Sequence, residues 1–140
     1  MINGFRGKYY FLSNFYPCKV EWEGLVYENN ESAFQSAKCI NLEQRKSFLE
    51  LDPSSAKRKG RRVELRNDWE NIKDQIMYEI VLNKFKQNED LKEKLLATEN
   101  EDLIEKNTWH DYYWGVCDGR GKNMLGKILM RVREELKLDK

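Results

Sequence analysis

Asp68 to Phe85 reads D-W-E-N-I-K-D-Q-I-M-Y-E-I-V-L-N-K-F, and its apolar residues Trp69, Ile72, Ile76, Ile80 and Phe85 recur at helical spacing. That spacing predicts a long amphipathic helix, capped by Asp68 and interrupted at Asn88, which forms the central rod of the core. Toward the C-terminus, Leu91, Leu95 and Leu96 mark a shorter helix, and Leu125, Ile128, Leu129, Val132 and Leu136 form one stripe on a final helix. Toward the N-terminus, Asp52-Pro53 supplies a cap and a first-turn proline for a short helix that stops at Gly60. Asn29 caps an earlier helix through Glu31, Ala33, Phe34, Ala37 and Lys38 to about Ile40, with a further helical stretch through Phe48 and Leu49. Before it, Val20 and Trp22 alternate with Lys19, Glu21 and Glu23, and Gly24 then breaks the pattern ahead of Leu25 and Tyr27. This predicts a short hairpin whose inner face covers the first helix.

A chain of 140 residues suits one domain spanning 1–140 and is too short for two independent cores. Lys plus Arg total 25 against 24 for Asp plus Glu, a net charge of +1, so no global basic field draws the chain to nucleic acid or to an acidic membrane. Any nucleic-acid role must be local. Cys18, Cys39 and Cys117 are odd in number and widely spaced, which fits reduced thiols in a cytoplasm. Without paired CxxC spacing they also make a poor zinc set. The N-terminus carries no apolar h-region, and no stretch approaches the roughly 20 apolar residues of a membrane span. The expectation is a soluble cytoplasmic protein.

Several polar groups sit where a ligand would use them. Phe11 to Pro17 reads F-L-S-N-F-Y-P and surrounds Ser13 and Asn14 with aromatic and branched neighbours. Seven residues make almost two helical turns, so Glu31 and Lys38 share a face with Gln35 between them. A solvated charge stripe is the ordinary reading of such a pair. Phe34, Ala37 and the aromatic N-terminal loop favour instead a partly desolvated cleft, in which Glu31 suits acid-base work and Lys38 nucleophilic work. Trp69 and Trp114 offer walls for a planar base, with core burial the competing role, above all for Trp69.

Thr98 to Lys122 is too long and too polar for a simple connection. Its end, Asp118-Gly119-Arg120-Gly121-Lys122-Asn123, enters the last helix, so glycines and free helix N-terminal amides there are candidates to cradle a phosphate, with plain loop closure an equal alternative. Lys57, Arg58, Lys59, Arg61 and Arg62 form the one dense basic run, by default a solvated helix end. His110 is the one histidine, and no GxSxG elbow accompanies it; packing or a hydrogen bond is its expected role. Glu105 and Asp111 flank it as candidate acceptors for ribose hydroxyls or as turn caps.

These residues together resemble the NADAR (NAD- and ADP-ribose-associated), or YbiA-like, family along essentially the whole chain. The resemblance runs through Phe11–Pro17, Glu31, Phe34-Gln35, Lys38, Ala56-Lys57, Gly60-Arg61, Leu65-Arg66, Asp68-Trp69, Met77 and Lys84-Phe85. It continues through Leu95-Leu96, Thr98, Glu105, Asp111, Trp114-Gly115, Gly121, Asn123, Leu125-Gly126, Leu129-Met130 and Arg133. What the resemblance implies is a compact, mainly α fold (α+β at most) and an N-glycosidase acting on a ribosylated heterocycle. Two substrate classes come with it: phosphoribosylamino intermediates of riboflavin biosynthesis, and ADP-ribose attached to guanine in nucleic acid. By the same similarity Glu31 is the expected catalytic carboxylate, with Lys38 beside it. Asn14, Trp69, Trp114 and Asn123 are expected to line the pocket, and Ser13, Phe15, Gln35, Arg61, Glu105, Asp111, Gly115 and Gly121 to bind substrate. The segment from Glu105 to Asp111 looks one residue longer than the commoner family form, which leaves the role of Asp111 open.

Two routes to cleavage follow from a shared Glu31 and Lys38 face. Glu31 protonates the leaving base or activates water; alternatively Lys38 attacks the anomeric carbon and forms a Schiff base while Glu31 shuttles protons. Neither route calls for a metal or a cofactor. A module that binds ADP-ribose or a nucleotide without cleaving it is the alternative from another class.

Overall fold

In chain order the computed structural model, which describes residues 1–139, runs β1 (Ile2–Asn3), a 3-10 helix (Gly7–Leu12), β2 (Val20–Trp22), β3 (Leu25–Tyr27), α1 (Asn30–Ser36) and α2 (Leu42–Lys46). It continues with α3 (Pro53–Gly60), α4 (Trp69–Gln87), α5 (Glu89–Leu96), β4 (Leu103–Ile104) and α6 (Met124–Leu138). Helices dominate, as expected, and the strands form two separate two-stranded sheets. The chain divides into two units: Asn14–Asn88, and Met1–Ser13 with the segment from Glu89 onward.

Within Asn14–Asn88, α4 buries Trp69, Ile76, Ile80 and Phe85 of the stripe read from its period, and Met77 and Val81 beside them, while Ile72 is half-buried. Asp68 stands at its N-cap position but does not cap with its side chain. The guanidinium of Arg66, two residues upstream, donates to both carboxylate oxygens at 2.8 and 3.3 Å, and a charge-assisted fork outcompetes a neutral amide. The hairpin of β2 and β3 is antiparallel and pairs Val20 with Tyr27 and Trp22 with Leu25. Val20, Trp22 and Tyr27 are buried, and the Tyr27 hydroxyl accepts from Ser36 Oγ at 2.7 Å, so the inner face does cover α1.

Asn29 caps α1 as expected, accepting from the Ser32 amide at 2.7 Å. The helix ends at Ser36 rather than near Ile40, because Lys38 and Cys39 donate three residues back, to Gln35 and Ser36, in a tightened last turn. Arg66 and Arg45 satisfy the carbonyls left over: Arg66 donates to Ala37 and Lys38, and Arg45 Nε to Cys39 at 2.7 Å. The stretch foreseen through Phe48 and Leu49 forms a little earlier, as α2, and Phe48 is fully buried in the turn that follows. Asp52 and Pro53 start α3 as read, with Asp52 accepting from Ser55.

In the other unit, α6 buries Leu125, Ile128, Leu129, Val132 and Leu136, while α5 buries Leu91 and Leu95. Arg133 is buried with them and donates to Thr98 Oγ1 and to the Glu101 carbonyl, both at 2.9 Å. Two features were not expected. Phe11 and Leu12 belong to the 3-10 helix rather than to irregular chain, and β1 pairs in parallel with β4, joining Ile2 to Leu103 and Asn3 to Ile104. Among the described residues no helix is long and apolar enough to cross a membrane.

Candidate functional site

The expected catalytic pair lies in the Asn14–Asn88 unit. Glu31 is in the first turn of α1, whose start is held by backbone: the Glu31 amide donates to the Asn14 carbonyl at 3.0 Å. Gln35, one turn on, donates its amide Nε2 to Glu31 Oε2 at 2.6 Å and so orients the carboxylate. Lys38 lies just past the helix end, half-buried, and its Nζ donates to the Gly60 carbonyl at 3.3 Å. Burial pushes the Lys38 ammonium below the usual lysine range; Glu31 pulls it back up, and Arg61 pushes it down again. An amine so placed is neutral more often than an exposed lysine, which is what nucleophilic work requires.

Gly60, read from the sequence as a helix stop and as part of the family resemblance, also packs against Gln35. A Cβ there would collide with the Gln35 amide oxygen, so a bare backbone at the end of α3 leaves room for the amide that donates to Glu31. That oxygen is buried without a hydrogen-bond donor, as is Asn30 Oδ1 one helical step before Glu31. An orphaned buried acceptor costs about 1–3 kcal/mol, and a ligand donor would relieve it. The helix start is also tied by Asn14, whose Oδ1 accepts from Asn30 Nδ2 at 3.4 Å while its own Nδ2 points to Met77 Sδ at 3.4 Å.

Phe15 and Tyr16 follow half-buried. Trp69 is 5 % exposed and its ring lies 5.1 Å from that of Phe34, tilted by 52°, so it packs behind α1 as a core residue does. Arg61 is exposed at the C-cap of α3. The basic run also borders a groove of about 680 Å³ lined by Gln44, Ser55, Arg58, Lys59, Arg62, Val63 and Glu64.

The remaining expected residues lie in the other unit. Ser13 is half-buried at its edge, its amide bonded to the Tyr10 carbonyl. Asp111 Oδ1 accepts from the amides of Tyr113 and Trp114 at 3.1 and 2.9 Å, a turn cap of the kind weighed against a ribose contact. Asn107, buried and missed by the sequence reading, ties this loop together: its Nδ2 donates to Glu105 Oε2 at 3.1 Å and to the Asp111 carbonyl at 3.0 Å. Gly115 is buried against Glu105, where a Cβ would strike the carboxylate and the carbonyl. Trp114 is half-buried, edge-on to Tyr113 at 4.9 Å.

Asn123 uses both ends of its amide on backbone, donating to the Leu103 carbonyl and accepting from the Glu105 amide, each at 2.9 Å. The free helix amides expected for a phosphate are not free. Lys122, Asn123, Met124 and Leu125 donate to the carbonyls of Tyr112, Gly115, Tyr113 and Trp114, because the Trp114 loop folds back over the start of α6. The glycine-rich run, Gly121 included, is therefore loop closure, and Gly121 itself lies against the Gly115 carbonyl.

The profile of the NADAR domain matches residues 4–137. N-glycosidase YbiA of Escherichia coli (strain K12) is 36% identical over 133 residues, covering 92% of this chain and 82% of that protein. N-glycosidase Npun_R5314 of Nostoc punctiforme is 36% identical over 134 residues, covering 90% of this chain and 85% of its own. Riboflavin biosynthesis protein VVA0006 of Vibrio vulnificus is 39% identical over 130 residues, and the chain spans only 35% of that protein's length. Among solved structures, the NMR structure of the E. coli protein YbiA superposes with a TM-score of 0.85 at 33% identity, covering 99% of this chain and 88% of that one.

Proposed function

Because this chain belongs to the NADAR family, we propose that it is an N-glycosidase, a hydrolase that cleaves the ribosyl carbon–nitrogen bond of a ribosylated heterocycle. The observation that carries this reading is Lys38, an amine held below its ordinary pKa and close enough to feel Glu31, with Gln35 orienting that carboxylate. Recognition alone does not call for a depressed amine beside an oriented acid. The lone pair of Lys38 Nζ attacks the anomeric carbon, and the electrons of the carbon–nitrogen bond leave with the base nitrogen, which takes up a proton. The ribose ring opens as the lysine nitrogen becomes an imine, Glu31 relaying protons. Water then adds to the imine carbon and expels Lys38 as the free amine, so one water is consumed for one base and one sugar released.

The substrates we propose are phosphoribosylamino intermediates of the riboflavin pathway, in keeping with the name of the Vibrio vulnificus relative. ADP-ribosylated guanine in nucleic acid is the second candidate, favoured by the groove that Arg58, Lys59 and Arg62 border. We place the work in the cytoplasm, where Cys18, Cys39 and Cys117 stay outside disulfides, as they are here.

Incubation with each substrate class, followed by mass spectrometry, tests the activity. Free base and free sugar phosphate or ADP-ribose are expected from wild type, and neither from Glu31→Gln or Lys38→Met. Borohydride added during turnover should leave a sugar adduct on the Lys38 peptide. Tight binding of ADP-ribose with no release from either substrate would mark the chain as a binding module instead.

A further inference from the structure

We infer that His110, Cys117 and Asp118 form a surface site for a divalent transition metal of the zinc type. One ligand atom from each lies within 4.8 Å of the other two. Cys117 Sγ stands 3.9 Å from His110 Nδ1 and 3.7 Å from Asp118 Oδ2. With zinc bonds of about 2.3 Å to sulfur and 2.0–2.1 Å to nitrogen or oxygen, tetrahedral ligand atoms stand roughly 3.5 Å apart. Both distances from the sulfur therefore lie within a few tenths of an ångström of that value, and the His110 and Asp118 donors, within 4.8 Å of each other, close on the ion by side-chain rotation.

The donor set suits the ion in kind as well as in distance. Imidazole, thiolate and carboxylate are zinc ligands, and the thiolate with the carboxylate cancels the charge of a divalent cation. Cys117 is buried while His110 and Asp118 are exposed, so the sulfur forms the floor and the fourth position opens to solvent. Loss of the Cys117 thiol proton to water on binding balances the charge.

Backbone holds the donors in place without the ion. Cys117 and Arg120 exchange both backbone hydrogen bonds, at 2.8 and 3.1 Å, across a turn in which Asp118 and Gly119 take φ of 53° and 76°. Two central residues with positive φ make a type I′ turn, for which Asp-Gly is a favoured pair, and it sets Asp118 directly beside Cys117. His110 has a φ of 64° outside any such turn. Its neighbour fixes it there: the Asp111 amide donates to Asn107 Oδ1 at 3.1 Å and the Asp111 carbonyl accepts from Asn107 Nδ2 at 3.0 Å. The Tyr112 hydroxyl, 3.2 Å from His110 Nδ1, keeps the imidazole on the Cys117 side and is the contact the ion displaces.

Cobalt(II) is the probe, because a thiolate ligand gives it a charge-transfer band and tetrahedral geometry gives it intense visible absorption. Titration of the full chain should yield a thiolate band that zinc then bleaches. His110→Ala and Asp118→Asn change exposed side chains and leave the fold measurable by circular dichroism; each should weaken zinc competition by about tenfold or more. Cys117→Ser should abolish the band, and Cys18→Ser and Cys39→Ser should keep it. The site is refuted if wild type shows no band, if the band survives His110→Ala and Asp118→Asn at unchanged affinity, or if it disappears with Cys18 or Cys39.

Discussion

The side-chain oxygen of Gln35 occupies the space beside Gly60 that any other residue would fill with its Cβ. An alanine at the last position of an exposed helix ordinarily stabilises by up to about 1 kcal/mol relative to glycine. Gly60→Ala should do the reverse, destabilising by about 1–3 kcal/mol as the amide is forced off its place. Displacement of Gln35 also releases Glu31 Oε2, so base release should slow by on the order of tenfold or more. Thermal melts and turnover of the one variant check both halves, and a raised melting temperature with normal turnover would show that the two residues do not constrain each other.

Lys38 should respond in opposite directions to its two charged neighbours. Glu31 raises its pKa and Arg61 lowers it, both acting on an amine that burial has already depressed. Removing Glu31 as Glu31→Gln therefore enlarges the neutral fraction at mildly alkaline pH, and Arg61→Ala shrinks it. Labelling of Lys38 by an amine-selective reagent, followed on its peptide by mass spectrometry, should run faster than wild type in the first variant and slower in the second. Because Arg61 is exposed, its effect should be the smaller and should fade at high salt. Equal rates in all three proteins would mean that the amine stands in bulk water.

What can be read from the chain alone follows the physics of each element. Helices α4 and α6 are legible because a buried stripe must repeat every 3.6 residues, and Asn29 and Asp52 are legible because their side chains cap within three residues of their own position. Asp68 misleads because a cap is a competition, and Arg66 wins it locally. The pairing of Ile2–Asn3 with Leu103–Ile104 has no period to read, since two residues make no alternation and their partners lie about a hundred positions apart. Near Glu31, the sharing of a face with Gln35 is helix geometry and therefore readable, whereas Lys38 lies past the end of α1, where the helical period no longer applies. The part of Gly60 is a tertiary contact, and so is the covering of the α6 amides by Tyr112 to Gly115; neither leaves a local mark.

Asn123 should prove more important for stability than for catalysis. Its amide makes two hydrogen bonds to the backbone of Leu103 and Glu105, and its φ of 53° is one that asparagine tolerates better than alanine does. Asn123→Ala should cost about 2–4 kcal/mol, the sum of stranded backbone groups and an unfavourable backbone well. Asn123→Gly should recover the backbone share alone. Urea denaturation of the two variants measures the difference, and a decline in turnover without any change in urea midpoint would move Asn123 to the substrate.

Lys84 should make the protein more stable as the solution turns alkaline. It is 1 % exposed, and burial lowers its pKa from 10.5 to about 8, with the Tyr16 and Phe85 rings 5.5 and 5.2 Å from its nitrogen. Between those two values the unfolded chain binds a proton that the folded one does not, so stability rises with pH across that window; below about 8 the full cost of the buried charge is present. The cost is on the order of a few kcal/mol. Lys84→Met keeps the volume and removes the charge, so relative to wild type it should be most favourable near neutral pH and lose that advantage toward pH 10 or so. Taking the difference between the two proteins cancels groups they share, including Tyr27, whose raised pKa works in the opposite direction at the alkaline end. Urea midpoints for both proteins across that range decide the matter: a difference independent of pH would mean that Lys84 keeps its proton in the fold, its charge balanced by neighbours rather than penalised by burial.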